Sequence, residues 1–228
     1  DPLYGAGCHN MVVICDPIRY QEAIADASAL RYAGQRYLVL PSRTALHGAF
    51  HPKLVLQTST ERGRLFIASG NLTKAGYSHN LEVVSLFEYD VKRPNDVAMQ
   101  ACLWAFHTIE QIVQKSERES GLVRERLEQL LGTTPWLRGR KVVSNDSQVW
   151  FLHNLEKPLL DQLSEHYARH DNSPVTEAIV ISPYFDRQAG ALAKIHRRWR
   201  PKSWKIYTQR NEHGLTGPTL SSALDTAN

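Results

Sequence analysis

This chain of 228 residues is poor in cysteine, with only Cys8, Cys15 and Cys102, and no two of them form a C-x-x-C pair. An odd number at such spacings argues against a disulfide framework and against a zinc site, and points to a reducing, cytoplasmic compartment. Long apolar runs are also missing. A bilayer span needs about 20 consecutive apolar residues, and no stretch approaches that, so no membrane partner is expected. No signal peptide is recognisable, although the chain opens Asp1-Pro2 and not with Met, so it reads as processed or as an excerpt of something longer. Charge of one sign is scarce too: 27 Lys and Arg stand against 23 Asp and Glu, a net +4 with a pI near 9.0. That excess suits a polyanionic partner without demanding one. His47 and His51 have a helical metal-ligand spacing, but Gly48 and Pro52 oppose a helix there and no Glu accompanies the pair. No metal and no cofactor are expected.

What is present is α/β patterning. Met11–Cys15 reads as a short buried strand, and Asp16-Pro17 as an N-cap with proline at the first helical position. Ile18, Ala23, Ile24, Ala27 and Leu30 continue at helical spacing towards Gly34. Further β-like runs lie at Tyr37–Leu40, Leu54–Gln57, Arg64–Ala68 and Leu81–Phe87, with Glu61-Arg62-Gly63 as a hairpin turn. Asn95-Asp96 caps a long helix whose Met99, Cys102, Leu103, Phe106, Ile109 and Val113 form one apolar stripe, read as core packing. A second helix is expected over Leu122–Leu131, then a strand at Val149–Leu152 and a helix over Pro158–Tyr167. A strand at Ala178–Ile181, a helix from Asp186 to Ile195 and a strand at Lys205–Thr208 complete the pattern. The chain is therefore divided into 1–115, a helical linker over 116–147, and 148–228. Strand–helix–strand order recurs in the first and last parts.

Chemistry concentrates between Phe50 and Val84. His51 and Lys53 are two apart, so on an extended strand their side chains share a face. Ser69 and Asn71 repeat that spacing at the end of the next strand, and Gly70 between them permits close approach. An imidazole can attack phosphorus, while an ammonium, a hydroxyl and a carboxamide can hold non-bridging oxygens as charge builds. Glu82, expected on the following strand, is placed to accept the second ring N–H of His51 and fix its tautomer.

These residues resemble the phospholipase D superfamily, whose motif runs H-x-K-x4-D-x6-G-S-x-N. His51, Lys53, Ser69 and Asn71 match it, with Ala68 in place of the glycine; Thr58 stands where the Asp belongs, and the gap from Lys53 to Ser69 is longer. Both departures are similar to those of tyrosyl-DNA phosphodiesterases and phospholipase D-type restriction endonucleases. FHPKL and SGNLTKAGYSHNLE look most like bacterial nucleases of the superfamily, including ones that act in phage defence. The resemblance covers Tyr37–Phe87, and ISPYFD resembles the opening of a second repeat over Val149–Gln209. It implies an α/β fold, a phospholipase D-like mixed β-sheet flanked by helices on both faces, with a first repeat and the start of a second. It also implies a metal-independent phosphodiesterase working through a covalent phosphohistidine, in which His51 is either the nucleophile or the general acid. Such enzymes use two H-x-K motifs and this chain has one. The second is expected beyond Asn228, or on a homodimer partner or a larger complex.

The stretch Lys194–Lys205 sets Lys194, Arg197, Arg198, Arg200 and Lys202 around Trp199 and Trp204. Cations neutralise phosphates and indoles stack on bases, so nucleic acid, with DNA favoured, is the expected partner. A solvated helix face anchored by its tryptophans is the competing explanation. A nuclease leads, then; a lipid phosphodiesterase or phosphatidyltransferase and a non-catalytic nucleic-acid-binding subunit are the alternatives.

Overall fold

The structure, a computed structural model, describes residues 2–26, 30–42, 48–73, 76, 78–116, 121–140, 149–170, 173–186, 188–209 and 217–225. It is mixed α/β and divides into two compact units, Asp1–Phe151 and Leu152–Asn228.

In the first unit a four-residue helix α1 (Pro2–Gly5) precedes β1 (Val12–Cys15), α2 (Pro17–Ala25) and β2 (Leu38–Pro41). β1 and β2 pair in parallel, Val12 with Leu38 through Cys15 with Pro41. Asp16 caps α2 as the sequence suggests, its Oδ1 accepting from the Ile18 and Arg19 amides at 2.9 and 3.4 Å. Next come β3 (Leu54–Thr58), β4 (Arg62–Ala68) and β5 (Val84–Asp90), an antiparallel sheet in that order. The period-2 alternation of a half-buried sheet sends Leu54, Leu56, Leu65, Ile67, Phe87 and Tyr89 to one face. That face packs on α3 (Asp96–Lys115), capped by Asn95, whose side chain accepts from the Ala98 amide at 3.1 Å. The apolar stripe of α3 is shared between two cores. Met99, Cys102 and Leu103 meet the hairpin sheet, whereas Ile109 and Val113 meet Val12, Ile14, Leu38 and Leu40 of the parallel pair. One rigid helix thus carries both small sheets.

Residues 116–147 belong with this unit where they are described. Val123 of α4 (Gly121–Thr133) is buried beside Leu40 and Val113, and Trp136 and Leu137 lie in the hairpin core. The Trp136 ring covers Gly63 and donates from Nε1 to the Ser59 carbonyl at 3.0 Å, closing the β3–β4 turn. The strand expected at Val149–Leu152 is absent. Phe151 is instead an aromatic plug, its ring 5.4 Å from both Phe87 and Trp104, and packing of that ring replaces a ladder.

The second unit holds α5 (Leu159–His170), β6 (Glu177–Ile181), α6 (Gly190–Trp199), β7 (Ser203–Tyr207) and α7 (Gly217–Asp225). β6 and β7 pair in parallel, and their inner faces, Val180, Trp204 and Ile206, pack with Leu192 of α6 and Ala223 of α7. α6 begins four residues later than expected. Asp186 is not its first residue but a carboxylate set before it, accepting from the Gly190 and Ala191 amides at 2.8 and 3.3 Å. Among the described residues the strands form three ladders, β1–β2, β3–β4–β5 and β6–β7.

Candidate active site

The site residues of the first unit sit at the mouth of the hairpin sheet, just outside its strands. His51 and Lys53 precede β3, and the pairing runs one step past the strand, the Ala68 amide donating to the Lys53 carbonyl at 2.9 Å. Lys53 Nζ lies 2.5 Å from His51 Nδ1 and donates to the His51 carbonyl at 3.0 Å. The i, i+2 spacing therefore does bring ammonium and imidazole together, and Nε2 is the ring nitrogen left for a ligand. Burial holds the Lys53 pKa below the ordinary lysine value, and the negative charge of Glu82 draws it part of the way back.

Ser69 and Asn71 follow β4 and are exposed. The Ser69 hydroxyl donates to Glu82 Oε2 at 2.5 Å and accepts from the Val83 amide at 2.9 Å. Its backbone amide also donates to the Val83 carbonyl at 3.0 Å, so the two segments are stitched together one step beyond the β4–β5 ladder. Asn71 turns the chain, its carbonyl accepting from the Thr73 amide at 2.8 Å, and among the described residues its carboxamide has no hydrogen-bond partner. Two groups are thus free for a ligand, the Asn71 carboxamide and His51 Nε2; the other two, Lys53 Nζ and Ser69 Oγ, are held by neighbours.

Glu82 differs from expectation in two respects. It lies ahead of β5, not on it, because β5 begins at Val84. Its carboxylate is taken by Ser69 and, at 3.2 Å, by Asn80 Nδ2, while the His51 ring nitrogen Nδ1 faces Lys53. Among the described residues the carboxylate makes no hydrogen bond to the ring, and its charge raises the Lys53 pKa. Its placement inverts ordinary burial: Leu81 and Val83 on either side are 101% and 75% exposed, yet the charged residue between them is half-buried. A segment that turns its carboxylate in and its aliphatic chains out breaks the local hydrophobic rule, as functional sites do.

Gly70 explains how the carboxylate fits. A Cβ at that position would lie 2.9 Å from both Cγ and Cδ of Glu82, so the glycine leaves room for this side chain, and not for a backbone approach as its place in S-x-N suggests. Asn80 is a site residue that the motif does not contain. Its signal in the sequence is the N-x-E spacing, which lets an amide two residues back reach the carboxylate.

His47 lies outside the described residues. Among those described, no group of three or more His, Cys, Asp or Glu side chains is placed to hold a metal ion. All three cysteines are free, and burial pushes the Cys102 thiol up to about 11, as befits a core residue.

In the second unit Arg197, Arg198, Arg200 and Lys202 are exposed, as a polyanion-binding surface requires. Trp199 is half-buried and packs edge-on against Tyr167 with centroids 6.4 Å apart, while Trp204, also half-buried, packs against the core of this unit. Both indoles are engaged in packing, which favours the anchored-helix explanation for the tryptophans while leaving the cations in solvent. Lys205 pairs with Glu177 at 2.9 Å.

No helix among the described residues is long and apolar enough to cross a membrane. In comparisons with known proteins, no family model, no curated protein and no solved structure matches this chain.

Proposed function

We propose that the first unit carries one half-site of a phospholipase D-type phosphodiesterase, most consistent with a metal-independent, cytoplasmic nuclease that favours DNA and acts in restriction or phage defence. The observation that carries this reading is the His51–Lys53 pair, with Nζ 2.5 Å from Nδ1, beside a Ser69-Gly70-Asn71 turn that houses a carboxylate. The βαβ-then-hairpin order around it supports a phospholipase D-like repeat, with β6–α6–β7 as the start of a second.

In the proposed reaction a phosphodiester enters between Lys53 and the Asn71 carboxamide. Its non-bridging oxygens compete for the Lys53 ammonium, as an anion does for a cation held by a neutral ring. Once the phosphate has drawn Lys53 Nζ away from Nδ1, the ring proton moves through solvent from Nε2 to Nδ1 and Nε2 attacks phosphorus; the P–N bond forms, the P–O bond to the leaving group breaks, and the leaving oxygen takes a proton from a general acid. Water, giving a proton to the conjugate base of that general acid, then attacks phosphorus; the P–N bond breaks, the phosphate monoester leaves, and the neutral imidazole is restored. Glu82 keeps positive charge on Lys53 throughout, and Ser69 holds Glu82 in place. The general acid would come from a second H-x-K motif outside this chain's sequence or from a second copy.

Cleavage of DNA in EDTA by the wild-type chain, falling on the order of a thousandfold or more in His51→Ala, is the expected result. Cleavage of a phosphatidyl substrate would redirect the reading to lipid chemistry. A non-catalytic nucleic-acid-binding subunit is the second reading, favoured by the presence of a single H-x-K; salt-sensitive DNA binding without turnover, unchanged in His51→Ala, would select it.

A further inference from the structure

We infer that Asp16, at the end of β1, is a positioning residue for His51, and this rests on the reading of His51 given above. The geometry behind it is a division of labour within one carboxylate. Oδ1 caps α2 through the Ile18 and Arg19 amides. Oδ2 reaches 34 residues along the chain and accepts from the Phe50 amide at 3.0 Å, in a partly buried setting.

Capping alone needs a single acceptor, and serine or threonine serves as well. The second oxygen does something a cap does not require. Phe50 immediately precedes His51, so the bond fixes the Ala49–Phe50 peptide, one residue ahead of the imidazole-bearing residue. The far side of the four-residue segment Phe50–Lys53 is held by the Ala68 amide on the Lys53 carbonyl at 2.9 Å. His51 therefore sits between two backbone anchors, one from the parallel pair and one from the hairpin. The C-terminal end of a parallel strand is where ligand sites of α/β sheets gather, and Asp16 links that end to the H-x-K segment. Hydrogen bonds to ionised acceptors are roughly twice as strong as neutral ones, which suits an anchor at an otherwise irregular segment. The Phe50 amide is in turn the leading cause holding the Asp16 carboxyl below the usual aspartate range.

Two variants separate cap from anchor. Asp16→Ser keeps a capping hydroxyl and cannot reach Phe50; Asp16→Asn keeps the shape and can turn an N–H towards the Phe50 amide. Expected in both are helix content and melting temperature near wild type, faster hydrogen exchange at the Phe50 amide, and displaced NMR signals of the His51 ring with those of His107 unmoved. Turnover of a DNA phosphodiester should fall roughly tenfold to a hundredfold at nearly constant KM, the penalty of a misplaced reacting group. Faster Phe50 exchange with unmoved His51 signals would overturn the inference, as would unchanged Phe50 exchange. If the wild type cleaves no phosphodiester, the proposed function fails, and the exchange and ring signals still decide whether Asp16 positions His51.

Discussion

Two parallel strand–helix–strand segments, β1–α2–β2 and β6–α6–β7, use the same parts in different proportions. Val12 pairs with Leu38 and Glu177 with Ser203, the same separation along the chain. In the first, α2 starts one residue after the carboxylate that ends the strand, and the long connection follows the helix. In the second, the long connection comes first, Ala189 adopts a left-handed conformation with φ 50°, and only a short link follows α6. The difference decides what each aspartate does. Asp186 directs both oxygens to the start of its own helix, Oδ1 to the Gln188 and Gly190 amides and Oδ2 to that of Ala191. Asp16, with its helix already begun, keeps an oxygen for Phe50. Placing the helix early frees a strand-end carboxylate for work elsewhere in the fold.

The contrast can be sharpened most strongly through stability, because among the described residues only the first unit has a hairpin sheet closed by a tryptophan. A Cβ on Gly63 would meet Trp136 Cη2 at 2.5 Å and Cys102 Sγ at 3.0 Å. Overpacking of this kind costs about 1–3 kcal/mol, so Gly63→Ala should lower the unfolding transition of the first unit and leave that of the second in place. A calorimetric scan checks it; a uniform shift of a single transition would mean the units do not unfold separately.

Asp186→Ala tests the other side of the comparison. Loss of a carboxylate that caps a helix costs about 1 kcal/mol, here confined to the second unit, and phosphodiester turnover should not change, because the bonds this carboxylate accepts come from the Gln188, Gly190 and Ala191 amides. Loss of turnover in Asp186→Ala would break the distinction between the two aspartates.

A third test concerns the cations at the end of α6 and in the link to β7. Replacing Arg197, Arg200 and Lys202 by Gln should leave the fold unaltered, as exposed cations do. The salt dependence of DNA binding should weaken by roughly one unit of slope for each phosphate no longer neutralised. An unchanged slope would assign these residues to solvation alone.

Much of this architecture is legible in the sequence where local pattern and tertiary packing agree. Leu54, Leu56, Leu65 and Ile67 alternate on either side of a tight turn and form the hairpin, although the turn falls at 59–61 and Arg62 and Gly63 already belong to β4; Asn95 opens α3 as its side chain demands. The failures come where a residue's partner is distant. Val149–Leu152 has the apolar content of a strand, but Phe151 fits between Phe87 and Trp104 and no ladder forms. The strand expected from Leu81 starts at Val84, because Glu82 is pulled inward by Ser69 and Asn80. At the site, spacing identifies His51 and Lys53 as neighbours. It does not reveal that Glu82 acts on the lysine, since that depends on a side chain passing over Gly70. Phe50's link to Asp16 has no local signature at all.

The smallest expected effect tests how Glu82 works. Burial makes the Lys53 ammonium easier to deprotonate in the folded protein than in the unfolded chain, and the Glu82 carboxylate opposes that. Between the folded and unfolded pKa values the unfolded chain holds the extra proton, so this group's contribution to stability rises with pH through that window. A step that needs the ammonium loses rate as pH climbs through the folded value, earlier than for an ordinary lysine. Glu82→Gln removes the carboxylate charge while keeping an acceptor for Ser69, so the Lys53 pKa should drop further and the alkaline limb of the rate–pH profile should move towards neutrality. If Glu82 did not act on Lys53, the alkaline limb would stay where it is in the wild type.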